Sequence, residues 1–426
     1  MSRTAVVVGG GFSGTMQALQ LLRCGFGAVT LIERRAETGR GLAYGAVLPD
    51  HLLNVPAARM SALADESDHF ARFYGQAGGA PEGFAPRRLY GDYLQALLRG
   101  ADARLTVVQG EAVDLQGSLL LLDDGRSVTA EVVILAPGNL PARPPLDLPD
   151  VYWGNPWSPE LAAGLDADDQ VLLIGTGLTA VDAVLSLEAG GFRGRILALS
   201  RRGLWPRAHG GVGAAPPATA SRAPLSRLVR HVRQDAAAWG WRAAVDRLRP
   251  VTQALWAEAS LAERRRFLRH LRPYWDVHRH RIAPVVAARM ERLAEEGRLV
   301  TAAGRILAAE AGTSGVTVRW RPRGSEDVRT THAARLVNCT GPELDVTRAG
   351  DPLLGALLAS GRIRPDSLRI GIDVDTQCRV LDAEGRPSPT LFAIGPPTRG
   401  AHWEMVAVPD IRVQVVALAE RLANRV

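Results

Sequence analysis

A short apolar run, Ala5–Val8, passes directly into Gly9-Gly10-Gly11-Phe12-Ser13-Gly14. Nothing else in the chain narrows the choice of fold as much. A run of this kind suits a strand buried on both faces. The segment after it, Thr15–Arg23, spaces Met16, Leu19 and Leu22 as a helix does, and a second apolar run, Val29–Ile32, ends on Glu33. Strand, GxGxxG turn, helix, strand and terminal acid make up the dinucleotide-binding arrangement. Gly9 permits the tight turn, and Gly11 lets a pyrophosphate approach the backbone of Phe12 and Ser13 at the helix N-terminus. Gly14 allows close helix–strand packing, and Glu33 can accept hydrogen bonds from ribose hydroxyls.

The arrangement recurs. Val171–Ile174 reads as a strand, and GTGLTA supplies Gly175, Gly177, Leu178, Thr179 and Ala180 ahead of a helix over Ala180–Leu187 that contains Asp182. The next strand, Ile196–Leu199, ends in Ser200-Arg201-Arg202-Gly203 rather than in an acid. An acid there repels a 2′-phosphate and arginine accepts one, so Arg201 and Arg202 favour NADPH over NADH, the plain alternative being a solvated basic turn. Each copy then runs through a β-rich stretch to a closing apolar strand. The first, with a hairpin-type turn at Asp123-Asp124-Gly125, closes on Val132–Leu135 and Gly138; the second closes on Cys339-Thr340-Gly341. Two phosphate-cradling turns imply two dinucleotides. A flavin and a nicotinamide are the natural pair, because hydride passes between them. The predicted architecture is α/β, with two Rossmann-type domains. Residues 1–160 and 335–426 form the FAD-binding domain, and residues 161–334 form the NAD(P)-binding domain inserted in it.

Between the second turn and its β-rich stretch lies a further insertion, about residues 204–298. It opens with a Pro/Ala/Gly/Ser loop, His209–Pro224. Helical spacing follows over Leu225–Trp241, Ala243–Trp256, Leu261–Arg272 and His280–Gly297. Four of the nine tryptophans fall between Trp239 and Trp275, so this insertion is a candidate wall of a substrate pocket, with plain packing as the alternative. Its Pro273–Pro284 segment combines Trp275, Asp276, His278 and His280. Two histidines two residues apart diverge on a helix, which argues against a metal site; one could serve as a proton donor near the flavin, but structural packing and hydrogen bonding are the plainer account of them.

Composition removes several alternatives. All 51 basic residues are arginine, which excludes a Schiff-base lysine and a GxxxxGK[ST] phosphate loop. The net charge of +7 is spread along the chain and does not call for nucleic acid. Three cysteines, Cys24, Cys339 and Cys378, form neither a disulfide framework nor a zinc site nor a CxxC dithiol, and suit a reducing cytoplasm. The N-terminus lacks the features of a signal peptide, and no run approaches the roughly 20 apolar residues of a membrane span.

Three further blocks carry a resemblance: Gly39–Gly45 (GRGLAYG) with His51–Ala62 (HLLNVPAARMSA), Tyr274–Arg281 (YWDVHRHR), and Gly395–Gln414 (GPPTRGAHWEMVAVPDIRVQ). With them the chain resembles bacterial FAD/NAD(P)-binding proteins of the two-dinucleotide-binding-domain, glutathione-reductase-like flavoprotein superfamily, in a branch related to flavin-dependent N-hydroxylating monooxygenases. The resemblance implies that Gly41, Ala43 and Tyr44 lie near the isoalloxazine or ribityl chain, with Asn54 and Pro56 on the approach side. It brings Gly395 to the cofactor and places Pro409 and Asp410 at the start of a helix facing the flavin pyrimidine edge. Where such flavoproteins often carry Gly-Asp, this chain has Gly395-Pro396 and so lacks the aspartate that reaches the ribityl chain. The function implied is a single-component monooxygenase: NADPH reduces FAD, and a C4a-hydroperoxyflavin formed with oxygen hydroxylates a small, amine-bearing substrate. His278, His280 and Asn54 are the candidate catalytic groups. Two alternatives stay open: a reductase passing electrons to a quinone or carrier, and a non-catalytic flavin redox sensor or assembly partner. Substrate and oligomeric state are not legible.

Overall fold

A computed structural model of the chain describes residues 3–45, 48–211, 216 and 224–424. Most of the expected His209–Pro224 loop lies outside them. The first unit runs β1 (Thr4–Val8), α1 (Phe12–Arg23), β2 (Ala28–Glu33), the short α2 (Gly41–Gly45), α3 (His69–Gln76), α4 (Arg87–Arg99) and β3 (Leu105–Gln109). A separate antiparallel sheet of β4 (Ala112–Gln116), β5 (Leu119–Leu122) and β6 (Ser127–Thr129) turns at Gly125, whose φ is +84°. The unit's main sheet resumes at β7 (Val132–Leu135).

The second unit follows: β8 (Trp153–Gly154), β9 (Gln170–Ile174), α5 (Leu178–Ala189) and β10 (Arg195–Ser200). The helical insertion comprises α6 (Leu225–Leu248), α7 (Thr252–Glu258), α8 (Leu261–Arg266), a π-helical turn over Phe267–Leu271, α9 (Arg272–Arg279) and α10 (Pro284–Glu295). Strands β11 (Leu299–Gly312), β12 (Gly315–Pro322), β13 (Arg329–Ala333) and β14 (Arg335–Asn338) complete it. The chain then returns through α11 (Pro352–Ala359), β15 (Arg379–Leu381) and β16 (Pro387–Ala393) to α12 (Val408–Ala423).

The two large sheets have the orders β15-β16-β7-β1-β2-β3 and β13-β12-β11-β10-β9-β14-β8. In the first, β1 lies parallel between β2 and β7, and β16 adds parallel to β7. The late chain therefore completes the early sheet, as the nested-domain reading expects. The expected bounds of the inserted domain, 161 and 334, fall inside the second sheet, because β8 and β14 pair with each other in it. Parallel strands covered on both faces need unbroken apolar runs, and β1 and β9 supply them with Val6, Val7, Leu172 and Leu173 all buried. Helices α1 and α12 close one face of the first sheet through Leu21 and Leu418, both fully buried and each contributing about 1.5–3 kcal/mol.

In the insertion, the expected break near Trp241 is present, one residue earlier. Gly240, at φ +79° and ψ 152°, interrupts α6, which then runs on to Leu248. The last expected helix, from His280, starts instead at Pro284, whose ring suits a first helical turn. The two units are tied together by side-chain contacts. Arg87 Nη1 lies 2.6 Å from Asp182 Oδ2 on α5, and the buried His51 ring bonds Ser186 Oγ at 3.0 Å. Among the described residues no helix is long and apolar enough to cross a membrane.

Candidate functional site

The two glycine turns match bond for bond. Gly9 donates its amide to Ile32 O and Gly175 to Leu199 O, each at 2.8 Å. Both take positive φ, +105° and +123°, and a Cβ on either would overlap a carbonyl oxygen of the closing strand's end, Ala136 or Cys339. Gly11 and Gly177 cap α1 and α5 with near-identical backbone angles and offer no side-chain cap. The first-turn amides of each helix are thus donors available to an anion. A Cβ on Gly14 would overlap the Gly9 oxygen, so only glycine lets α1 sit this close to β1. Ala180, in the matching first turn of α5, is fully buried.

The ends of the second strands differ as expected. Glu33 is buried, and its Oε2 and Oε1 accept the amides of Gly10 at 2.7 Å and Arg35 at 2.9 Å. At the equivalent place Ser200 Oγ lies 2.9 Å from Thr176 Oγ1 and accepts the Gly203 amide. Arg201 is exposed. Arg202 is partly committed: its Nη2 donates to Arg269 O at 3.3 Å, and its guanidinium lies 5.7 Å from the Tyr274 ring centre.

The segment after Glu33 folds back over the first turn. A Cβ on Gly41 would lie 3.0 Å from Gly11 Cα. The Tyr44 ring packs 4.7 Å from that of Tyr90, and burial pushes its hydroxyl pKa up to about 12. Ala43 is exposed. From the other end of the chain Gly395 reaches the same place: its amide donates to Gln414 Oε1 at 2.8 Å, and a Cβ on it would lie 2.5 Å from Ser13 Oγ. Pro409 sits in the first turn of α12. Gly138 and Gly341, at φ +72° and +87°, follow the two closing strands with open space where a side chain would be.

The blocks that carry the resemblance touch one another. Arg412 Nη1 donates to Ser61 O at 2.8 Å, and His209 Nε2 lies 2.9 Å from the Asn54 carbonyl oxygen. Around Glu404, which is buried at φ +67°, a charged cluster forms. Arg279 Nε lies 3.1 Å from Glu404 Oε2, Trp275 Nε1 donates to Oε1 at 2.8 Å, and His280 Nε2 lies 3.8 Å away. Asp410 is 3.7 Å from Arg279 and 4.0 Å from Arg249. Burial acts to raise the Glu404 pKa, but His280, Arg279 and the Trp275 hydrogen bond outweigh it and hold the carboxyl low. At Asp410 burial wins over Arg249 and Arg279, and the pKa rises. Burial also lowers the guanidinium of Arg249 and brings that of Arg399 down to about 10. The Arg399 and Arg59 side chains have no hydrogen bond or ion pair among the described residues.

His278 and His280 part company, as their spacing requires. His278 Nδ1 lies 2.7 Å from Tyr274 O and its ring stands edge-on to Trp241 at 4.9 Å, while His280 faces Glu404. Sequence reading did not single out Glu404, Arg279, Arg249 or Arg399. Three of them, Arg279, Arg399 and Glu404, lie inside the Tyr274–Arg281 and Gly395–Gln414 blocks, but no spacing rule marks them individually.

Residues 6–140 match the family described as FAD-NAD(P)-binding. The chain is 35% identical over 105 residues to an L-aspartate N-monooxygenase (nitrosuccinate-forming) of Streptomyces cremeus, a match covering 22% of this chain and 16% of that protein. It spans 14% to 25% of the length of the curated relatives it matches. Among solved structures it is similar to an ornithine N-hydroxylase of Kutzneria sp. 744, with a TM-score of 0.66 and 16% identity over 99% of this chain and 100% of that one. It is also similar to a bacillithiol disulfide reductase of Bacillus cereus, with a TM-score of 0.58 and 14% identity over 100% of both chains. The chain shares its fold with these two solved structures over nearly its whole length, and the FAD-NAD(P)-binding match falls on its first unit.

Proposed function

We propose that this chain is an FAD-dependent NAD(P)H oxidoreductase, a single-component monooxygenase acting on a small amine-bearing substrate. The observation that carries the reading is the pair of matching glycine turns, in two sheets, each with a leading glycine held at positive φ against a backbone carbonyl and a helix-capping glycine, Gly11 or Gly177, that leaves the first-turn amides without a side-chain cap. The glycine and helix-end donors fit two dinucleotide phosphates. FAD is assigned to the first unit and the nicotinamide to the second. Bound FAD supplies the redox chemistry, taking two electrons from NAD(P)H and delivering them to oxygen.

The chain's own residues bind and orient. The amides of Phe12 and Ser13 hold the pyrophosphate, and Glu33, fixed by two backbone amides, retains lone pairs for the ribose. Gly177, Leu178 and Thr179 hold the second pyrophosphate, while Arg201 and the free edge of Arg202 favour a 2′-phosphate. The α12 N-terminus at Pro409 favours negative charge in front of it. Arg249 and Arg399 are half-buried and weakly compensated, which suits a substrate that carries a carboxylate beside its amine. Three free cysteines are what a reducing cytoplasm leaves. The test is anaerobic reduction of the purified protein by NADPH, then exposure to labelled oxygen with a panel of amino acids and amines. Label in a hydroxylated amine is expected. Reoxidation by quinones at full rate with no labelled product would establish the reductase reading, which the likeness to the disulfide reductase supports.

A further inference from the structure

A cleft of about 510 Å³ opens between the α8–α9 segment of the insertion and the loop before Gly371. Four guanidiniums line it: Arg265, Arg269 and Arg272 on one wall and Arg369 on the other. Two are shared with carboxylates, Arg272 with Asp276 at 3.2 Å and Arg369 with Asp345 at 3.4 Å. The side chains of Arg265 and Arg269 have no acidic partner among the described residues. The cleft thus faces about two uncompensated positive charges.

Its walls are held before any ligand arrives. Arg369 sits at φ +56°, in a turn whose Leu368 and Ile370 amides both donate to the buried Asp366 carboxylate, at 2.8 and 2.7 Å. Opposite it, Arg269 projects from the π-helical turn, a local geometry frequent at functional sites. The apolar floor, Leu268, Leu368 and Ile370, rests on Trp256 and Trp403, whose rings stack at 4.5 Å. An electropositive rim with a preformed apolar floor fits a compact ligand carrying both a dianion and a hydrocarbon or ring portion.

We propose that this cleft is a binding site for a phosphate-bearing small molecule. Arginine forks match phosphate oxygens in pairs, and two uncompensated guanidiniums balance one phosphate dianion. Two sources share that chemistry. Arg202 docks on the Arg269 carbonyl, so the cleft wall adjoins the turn assigned to the nicotinamide cofactor, and the ligand can be that cofactor's 2′-phosphate end. The other source is a separate phosphorylated substrate or effector. The proposal concerns binding alone and stands whatever reaction the flavin performs.

The test uses the full chain with its flavin bound and inorganic pyrophosphate as the probe, titrated calorimetrically. Arg265→Gln with Arg269→Gln removes the two free charges at exposed positions, and Arg319→Gln with Arg321→Gln, on exposed positions of β12, is the control. Saturable binding that weakens at least about tenfold in the first pair and not in the second is expected. Displacement of pyrophosphate by NADP+, with affinity for NADP+ but not NAD+ lost in the first pair, assigns the cleft to the cofactor. Simultaneous binding of NADP+ and pyrophosphate assigns it to a separate phosphorylated ligand. Absence of saturable binding, or equal binding by the first pair and the parent, overturns the proposal.

Discussion

Gly11 and Gly14 lie three residues apart in one turn, yet substitution should act on them through different states. A Cβ on Gly14 would overlap the Gly9 carbonyl oxygen, whereas one on Gly11 meets Gly41 Cα at an ordinary 3.5 Å. Gly14→Ala is expected to destabilise the chain itself by about 1–3 kcal/mol, seen in urea unfolding of the apoprotein. Gly11→Ala should leave that midpoint near the parent's and instead reduce flavin retained through gel filtration. Glu404 offers a second contrast. It is 4% exposed and faces Arg279 at 8%, so Glu404→Gln leaves a buried cation short of its partner and should cost about 3–5 kcal/mol at pH 7. Its carboxyl pKa is held below the unfolded value of about 4.3, so the stabilisation is present above that pH and is lost as pH falls through the lower folded value. The gap between parent and variant in denaturant midpoint should therefore narrow below about pH 4; a gap independent of pH would show that the carboxylate's charge is not the cause.

At the level of elements, Gly240 holds a conformation open almost only to glycine, and no neighbouring atom lies where its Cβ would go. Gly240→Ala should then cost about 1–3 kcal/mol through backbone strain alone. Hydrogen exchange should quicken in α6 while β9 and β10 stay protected; uniform loss of protection would contradict this. The Asp182 side chain, 7% exposed, accepts from Arg87 across the two units. Asp182→Ala should weaken their docking by on the order of 3 kcal/mol, raising the KM for NADPH more than it lowers flavin content.

The strands were legible because a strand covered on both faces must be apolar: the expected Val171–Ile174 and Val132–Leu135 match β9 and β7 to within one residue. The glycine turns were legible because their backbone demands one residue type. The helical insertion was less so. Its amphipathic spacing located helices and the break near Trp241, but could not tell that α8 and α9 join through a π turn. The pairing at Glu404 was not legible, although both residues lie in blocks the sequence had set apart, since Arg279 and Glu404 meet only through tertiary packing and no spacing rule connects them.

Across the whole molecule, burial weighs against the charged form of four histidines. His51, His209, His280 and His402 all have pKa values lowered, in each case first by desolvation. A histidine whose folded pKa lies below its unfolded value of about 6.5 contributes stability that is full above that pH and falls as pH drops toward the folded value. The thermal midpoint is expected to fall between pH 7 and pH 5. The raised carboxyls of Asp366 and Asp410 act in the opposite sense, being relieved by protonation. His51→Gln, at the junction of the two units, should flatten the slope; an unchanged slope would remove His51 from the account.

The way β16 returns to β7 has a temporal consequence. During synthesis the residues from 153 to 338 emerge as one continuous stretch and can complete their sheet from local material. The earlier unit cannot: α1 waits for α12, and β7 for β16, both made only after the whole of that stretch. The order of maturation should thus reverse the order of translation. In a pulse of stalled nascent chains ending near residue 380, allowing for the exit tunnel, the later-made core should resist protease while the first 130 residues are still cut.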